Sequence, residues 1–170
     1  EQMVTLLKEQ GAFPVDIPEE APPGAPIVIR SHGVGEQMIA RIEKSGHRCV
    51  DATCPFVKKI HRLVREASEE GRLVLVAGDQ DHPEVQGILG HVHGPWAVFR
   101  GEQELLLLTQ AHPEWKNCPI CAVSQTTFAV EEWEKCLKIL QRGYTNARIF
   151  ATICNATAQR QREAAELAQH

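Results

Sequence analysis

The stretch VDATCPFVKKIHRLVREASEEGRLVLVAG, residues 50–78, contains the unit that decides the fold. It opens at the end of a β-strand, where Val50 and Thr53 are β-branched, and continues as a helix that Pro55 can start. A glycine ends that helix, and RLVLVAG (72–78) follows as an apolar strand suited to burial on both faces. The order strand, helix, strand predicts a parallel sheet covered by helices.

The same alternation extends in both directions along the chain. The predicted strands cover 26–31, 47–53, 72–78, 96–100, 118–124 and 147–152. The predicted helices cover 1–12, 34–45, 55–70, 83–89, 102–110, 130–142 and 155–170. A proline-rich segment, 14–26, is predicted to be a surface connection. The fold class is therefore α/β, built from repeated βα units with parallel sheets.

Composition narrows the classes of function. The 170 residues are 43% hydrophobic and 24% charged, as expected of a globular protein with a real core. A net charge of −4 provides no basic surface for nucleic acid or an anionic membrane, and neither is expected as a partner. No apolar run approaches the roughly 20 residues of a membrane span. The chain begins with Glu1 inside a predicted helix, so we expect a piece of a longer protein.

Chemically active side chains collect at the predicted strand ends. Ligands of such folds bind beyond the carboxyl ends of the strands, so these side chains are the candidates for a site. In chain order they are His32, Cys54, His82, Glu84, Ser124, Gln125, Thr126, Thr127 and Cys154.

Cys54 and Cys154 share one structural place, the end of a strand before a helix. A helix N-terminus favours the thiolate that ligation or nucleophilic attack requires, and a cysteine followed by proline is typical of ferredoxin ligands. Two packed thiols would give the same pattern. The residues alone leave Cys54 open between a packed thiol, a nucleophile, half of a disulfide and a metal ligand.

The CPIC sequence (118–121) invites a redox or zinc interpretation that its context disfavours. Redox CxxC motifs open a helix, whereas this pair is predicted to lie inside an apolar strand with its cysteines on opposite faces. No second CxxC completes a zinc site. We expect the pair to pack in the core, and we expect the same structural role for Cys49 and Cys136. Without an export signal, we expect all the thiols to be reduced.

His82 and Glu84 stand two positions apart across a proline at a predicted helix entrance. An imidazole beside a carboxylic acid can deliver a proton if partial burial keeps the acid protonated. A simple helix cap with an acidic first-turn residue is the structural alternative.

Two other strand ends give weaker signals. His32 precedes glycines that let the backbone approach an anion, and Thr126 lies in an SQTT segment that fits either substrate binding or a helix cap. The remaining histidines lack such neighbours and are expected to be surface or structural residues: His47, His61, His91, His93 and His112.

Five blocks together resemble one family. They are RSHGVG, VDATCPFVKKIH, GDQDHPEVQGILGH, AVSQTTF and TICNATAQRQ, and they span essentially the whole chain. In this order they resemble the 4-hydroxy-3-methylbut-2-enyl diphosphate reductases, the IspH or LytB family. The resemblance implies three αβα domains in a trefoil around a central iron–sulfur cluster. It also implies reductive dehydroxylation of an allylic diphosphate to isopentenyl and dimethylallyl diphosphates, the last step of the non-mevalonate (MEP) isoprenoid pathway.

The resemblance also implies roles for particular residues. Glu84 matches the acid that relays the proton, and Thr126 matches the threonine that bonds the substrate hydroxyl or a water in the proton network. His32 and His82 match histidines that contact the diphosphate. The two cluster ligands matched by this chain are Cys54 and Cys154. The cofactor implied is a 4Fe–4S cluster, with electrons from a ferredoxin or flavodoxin type donor, in a bacterial cytoplasm.

This sequence lacks some segments of the family pattern, and their absence leads to expectations about its domains and activity. The segment carrying the third cluster cysteine is missing, and no other cysteine of this chain aligns with it. We expect 1–54 to be the C-terminal half of the first domain, 55–151 the second domain, and 152–170 the start of the third. This piece alone is expected to be inactive. A non-catalytic iron–sulfur or metal-binding module is the alternative, and a phosphate-binding α/β domain with structural cysteines is another.

Overall fold

The computed structural model describes residues 2–168 as alternating helices and strands. The strands are β1 (Ile27–Ile29), β2 (Cys49–Asp51), β3 (Leu73–Ala77), β4 (Trp96–Phe99), β5 (Ile120–Ser124) and β6 (Ala147–Ile149). The helices are α1 (Gln2–Glu9), α2 (Glu36–Lys44), α3 (Pro55–Glu69), α4 (Pro83–Leu89), α5 (Glu102–Ala111), α6 (Val130–Gly143) and α7 (Asn155–Leu167). Short 3-10 turns, Pro18–Glu20 and Pro113–Asn117, lie in the connections before β1 and β5.

The strands form two separate parallel sheets. β1 pairs with β2, and Val28 lies opposite Val50. The other four strands follow the order β4-β3-β5-β6, with Val76 of β3 opposite Val98 on one side and Val123 on the other. Each parallel pairing requires a crossover, and the intervening helices supply it. The predicted α/β fold with parallel sheets is confirmed.

The four-stranded sheet contains most of the core. Every residue of β3 and β5 is buried, as expected of central strands covered on both faces. On one face α5 and α6 cover the sheet, with the main contacts made by Leu75, Phe99, Leu105, Ile120, Trp133 and Leu140. On the other face α3 and α4 cover it through Ile60, Val64, Val74, Val76, Val85 and Val123. None of the helices within residues 2–168 is long and apolar enough to cross a membrane.

The two-stranded sheet has a much smaller core. Ile27 and Ile29 of β1 face Ile42 of α2, and these three side chains are buried together. The opposite face is open, because Val28 is 61% exposed and Val50 is 39% exposed. This sheet therefore alternates between buried and exposed positions, unlike the central strands of the larger sheet.

The first two strands are shorter than predicted, because the sequence pattern marks extended backbone rather than paired backbone. Thr53, predicted as strand, donates its backbone N–H to Asp51 Oδ1 at 2.9 Å. The donors that face β1 are those of Ala52 and Cys54, which still reach the carbonyls of Ile29 and Ser31 at 3.0 Å beyond the last residue of β2.

The prediction that Cys118 lies within a strand is wrong. β5 begins only at Ile120, and Cys118 follows the 3-10 turn that starts at Pro113. Pro119 has no N–H to donate to the sheet, so the ladder of donors starts one residue later. The Sγ of Cys118 lies 3.7 Å from the backbone oxygen of Glu114.

Candidate active site

Three helices begin at the candidate side chains that the sequence analysis identified. Cys54 is the N-cap of α3, His82 is the N-cap of α4, and Cys154 is the N-cap of α7. A proline at the first helical position follows both Cys54 and His82. Such a proline fixes φ for the first turn, so the cap residue is held at the junction.

Glu84 and Thr126 form the buried centre of the site. Glu84 lies in the first turn of α4 and is 2% exposed, while Thr126 follows β5 and is 8% exposed. The backbone N–H of Thr126 donates to Glu84 Oε1 at 2.6 Å, and its hydroxyl donates to Oε2 at 2.7 Å. Both carboxyl oxygens are thus engaged by one residue, which fixes the orientation of the acid.

His82 presents a proton donor beside this acid. Its Nδ1 accepts a hydrogen bond from the backbone N–H of Glu84 at 3.1 Å. A neutral imidazole that accepts at Nδ1 carries its proton on Nε2. His82 can therefore donate a hydrogen bond from Nε2 while it caps the helix.

His32 lies against His82 from the other sheet. The two rings meet edge to face, with centroids 5.5 Å apart and an interplanar angle of 78°. The Nδ1 of His32 is buried and has no hydrogen-bond partner within residues 2–168. A buried imidazole nitrogen without a partner costs free energy, and His61 Nε2 is a second such atom in the described residues.

Both cysteines attach to this group through their backbones. The N–H of Cys54 donates to the carbonyl of Ser31 at 3.0 Å, next to His32. The N–H of Cys154 donates to the carbonyl of Thr126, also at 3.0 Å. A series of contacts thus joins the backbones of Cys54 and Cys154 by way of His32, His82, Glu84 and Thr126. Side-chain contacts connect His32, His82, Glu84 and Thr126, whereas Cys54 and Cys154 join this group through backbone amides.

The charge next to Cys54 is balanced locally. Burial alone would raise the pKa of Asp51, but hydrogen bonds from Lys58 and Thr53 lower that pKa to about 2. Asp51 forms an ion pair with Lys58 on the first turn of α3. The acid is therefore ionised and neutralised, and the N-terminus of α3 keeps its positive end beside the Cys54 thiol.

Two further polar residues support the site, and one of them, Thr152, was not selected from the sequence. Gln125 accepts from the backbone N–H of Asp79 at 3.3 Å and donates to Thr127 Oγ1 at 3.0 Å, so it ties the loops after β3 and β5 together. Thr152 accepts from the N–H of Ser124 and donates to its carbonyl, both at 2.7 Å, which holds the approach to Cys154. The sequence shows only that each is a polar residue near the end of a strand, and this does not reveal its hydrogen-bond partner.

A model of the LytB protein family matches residues 1–170. The chain belongs to the LytB family. This LytB-family chain is 41% identical over 169 residues to the 4-hydroxy-3-methylbut-2-enyl diphosphate reductase of Geobacter metallireducens, covering 99% of the chain and 57% of that relative. It is 38% identical over 167 residues to the reductase of that name from Citrifermentans bemidjiense, covering 98% of the chain and 57% of the relative.

A solved structure shares the fold. The structure of (E)-4-hydroxy-3-methyl-but-2-enyl diphosphate reductase, described as the terminal enzyme of the non-mevalonate pathway, matches with a TM-score of 0.79 and 32% sequence identity. The match covers 98% of this LytB-family chain and 58% of the other chain. The chain therefore spans somewhat more than half the length of the relatives that it matches.

The cysteines of the LytB-family chain fit an iron–sulfur cluster in chemistry but not in number. Thiolates are the usual protein ligands of such clusters, and Cys54 and Cys154 are half-buried thiols at helix N-termini. Within the described part of the chain no three His, Cys, Asp or Glu side chains are arranged to hold a metal ion. Any further ligand would have to come from outside these residues.

The other cysteines have different surroundings. Burial raises the pKa of Cys121 and of Cys136 to about 11, so both remain thiols in the core of the larger sheet. Cys49 is half-buried beside the small core, and burial raises its pKa as well. A high thiol pKa disfavours ligation and nucleophilic attack. The expectation of a structural role agrees with the positions of these three, whereas the expectation that Cys118 packs in the core is wrong, because it is only half-buried and joins neither core cluster.

Proposed function

We propose that this chain is part of an enzyme that removes the hydroxyl of 4-hydroxy-3-methylbut-2-enyl diphosphate reductively, as the last step of the non-mevalonate pathway. The products are isopentenyl and dimethylallyl diphosphates. The observation that carries the proposal is the series of contacts between the backbones of Cys54 and Cys154, which includes two imidazoles, a buried carboxyl and a hydroxyl. The names of the relatives support the same substrate.

The imidazoles bind the diphosphate in this proposal. His82 donates from Nε2, and the unpartnered Nδ1 of His32 receives its partner when the substrate is present. Anions are favoured near helix N-termini, where the α4 dipole adds to these donors.

Glu84 supplies the proton in this proposal. Hydroxide is a poor leaving group, and protonation by a positioned carboxylic acid converts it to water. Thr126 holds both oxygens of the acid at 2.6 and 2.7 Å, which fixes the direction of the transfer. The low exposure of the acid keeps bulk water away from the proton.

Cys54 and Cys154 would hold a 4Fe–4S cluster together with a third cysteine that this chain does not contain. When bound, such a cluster supplies electrons and a Lewis-acidic iron to the substrate. The electron donor in the proposal is a ferredoxin or flavodoxin in a bacterial cytoplasm, a compartment consistent with six free thiols. The domain limits 1–54, 55–151 and 152–170 belong to the same proposal, which the division into two sheets supports.

The test is Glu84→Gln in the full-length protein that contains residues 1–170. Loss of the transferable proton is expected to lower turnover of the diphosphate by about 100-fold or more, with cluster absorbance unchanged. Glu69→Gln, at the far end of α3, is the matched control and keeps normal turnover. Normal turnover in Glu84→Gln would show that the proton role is wrong.

A non-catalytic iron–sulfur module is the second candidate, favoured by the lack of a third ligand within residues 2–168. Anaerobic reconstitution of the full-length protein with iron and sulfide separates the two candidates. A cluster with substrate turnover supports the reductase, a cluster without turnover supports the module, and no cluster rejects both.

A further inference from the structure

The loop that carries His32 is held in place by close backbone contacts. It connects β1 to α2, and its carbonyl at His32 would lie 3.3 Å from a Cβ at Gly87. Gly35 packs directly on Gly90, where a Cβ would come within 2.9 Å of the Gly90 Cα. A Cβ at Gly33 would fall 2.5 Å from the ring carbon Cε1 of His61. The loop therefore packs against α3 and α4 at its two glycines, where a side chain would not fit.

Two histidines that the sequence analysis treated as structural lie beneath this loop. His61 of α3 and His91, just after α4, stack with ring centroids 4.1 Å apart and an interplanar angle of 26°. Both residues are buried, with exposures of 8% and 6%. The pair thus joins the two helices against which the loop packs.

His91 bonds the loop directly. Its Nε2 lies 3.1 Å from the carbonyl oxygen of Val34, and its Nδ1 lies 3.3 Å from Glu36 Oε1. The pKa of Glu36 is lowered by hydrogen bonds from His93 and His91, so this carboxylate acts as an acceptor. A carbonyl is also only an acceptor, and a neutral imidazole has only one N–H. Both bonds together require His91 to carry protons on both nitrogens.

His61 stays neutral beside that charge. The pKa of His61 is lowered to about 4, mainly by burial and secondly by the neighbouring His91. Charged and titratable groups surround the pair on every packed element: Glu36 of α2, Asp51 of β2, Lys58, Arg62 and Arg65 of α3, and His93 after α4. Within the described residues, two acceptors thus face the nitrogens of His91, whereas His61 Nε2 is buried without a hydrogen-bond partner.

We propose that His91 is a positioning residue: as an imidazolium stacked on neutral His61, it ties the Val34 carbonyl to Glu36 and so sets the place of His32 against His82. The importance of that placement for diphosphate binding rests on the function proposed above. The protonation state and the loop contact do not rest on it.

The first experiment reads the histidine rings of the full chain by long-range ¹H–¹⁵N NMR near neutral pH. His91 is expected to carry protons on both ring nitrogens, and His61 on one. A single proton on His91 would overturn the proposal whether or not the protein is a reductase.

The second experiment compares His91→Phe with His93→Phe. His91→Phe keeps a ring stacked on His61 but removes both hydrogen bonds of His91. His93→Phe removes the 2.8 Å bond between His93 and Glu36, and His93 is an exposed ring that does not contact the Val34 carbonyl. His91→Phe is expected to shift the ring resonances of His32, and His93→Phe is expected to leave them in place. Unmoved His32 resonances in His91→Phe would overturn the proposal.

Kinetics in the full-length protein supply the functional measurement. His91→Phe is expected to raise KM for the diphosphate about tenfold, the factor of one hydrogen bond, with a smaller change in kcat. If His91→Phe does not fold, His91→Gln retains a donor for Val34 and is expected to recover part of the affinity. If KM is unchanged although the His32 resonances shift, the loop contact is confirmed and the proposed diphosphate site is wrong.

Discussion

Glu84 is the buried acid of the candidate site, and its hydrogen bonds matter for both stability and function. An acid that is 2% exposed needs partners for both oxygens, because an unsatisfied buried acceptor costs free energy. The backbone N–H and the hydroxyl of Thr126 satisfy them. This pairing connects stability to function, since the bonds that make burial tolerable also orient the acid.

Substitution of Thr126 by valine should destabilise the chain by about 1–3 kcal/mol, the cost of leaving one buried carboxyl oxygen without its donor. Thr126→Ser keeps the hydroxyl and should recover most of the loss. Thr145→Val is the matched control, because this threonine is exposed in the turn before β6 and should cost less than about 1 kcal/mol. Urea unfolding measures all three, and equal losses at both positions would contradict the role of the Glu84 bond.

His61 should make the stability of the chain depend on pH in a definite window. Its pKa falls from 6.5 to about 4 on folding, so the unfolded chain binds the proton more strongly than the folded chain. The contribution of His61 to the free energy of unfolding is therefore fully present above pH 6.5 and decreases as the pH falls towards 4. The decrease should be on the order of 2–3 kcal/mol.

His61→Phe should remove that part of the dependence while keeping a ring under the loop. Urea unfolding of the original chain and of His61→Phe at several pH values between 4 and 6.5 measures this contribution as the difference between their free energies of unfolding. Asp51 and Glu36 contribute mainly below this window, because their pKa values are lowered on folding. Parallel curves for the two proteins would show that His61 takes up its proton normally in the folded state.

Among the secondary-structure elements, α4 controls how the small sheet meets the large one. Its end contacts the loop before α2 through Gly90 and Gly35, and the N–H of Glu36 donates to the Gly90 carbonyl at 3.2 Å. No side chain intervenes at this contact. The loop that carries His32 is therefore positioned by backbone packing as well as by His91.

Gly90→Ala should therefore destabilise the chain by about 1–3 kcal/mol, the range for overpacking against backbone. The new Cβ would lie 2.5 Å from the Cα of Gly35, and backbone cannot yield as a flexible side chain can. Backbone conformation is not the cause, since Gly90 has φ −67° and ψ −4°. The control is Gly143→Ala, whose Cβ would meet nothing within 4 Å. Thermal unfolding with equal shifts for both variants would disprove the close contact.

At the same scale, local patterns predicted the elements and missed their grouping. The run LVLVA could only be a doubly buried strand, and Pro55 and Pro83 marked the starts of α3 and α4. Nothing local, however, separates β1 and β2 from the other strands, because pairing depends on distant partners. The prediction for β2 is too long because Ala52 and Cys54 remain extended and still bond towards β1 after the strand itself has ended at Asp51.

The candidate site was predictable because the carboxyl ends of parallel strands meet in space. That rule alone brought Glu84 and Thr126 together from 42 positions apart. The stacked pair His61 and His91 had no such rule, because one lies inside a helix and the other follows one. A histidine on a helix looks structural until its neighbours are known.

For the whole molecule, the unequal sizes of the two cores predict unequal local stability. Three buried isoleucines support the small sheet, whereas both faces of β3 and β5 are covered by large apolar clusters. Regions with few buried apolar contacts open at lower free energy than the global unfolding transition. The loop that carries His32 belongs to the weaker part, so it depends on its contacts with α3 and α4.

Native-state hydrogen exchange should therefore show the amides of β1 and β2 opening several kcal/mol below those of β3 and β5. The amides of β3 and β5 should exchange only with global unfolding, because these strands are central and fully buried. Gly90→Ala should widen the gap, since it weakens the contact between the small sheet and α4 without touching the large core. Gly143→Ala should leave the gap as it is. Identical opening free energies in both sheets would mean that the chain unfolds as one unit and that the His32 loop is as rigid as the central strands.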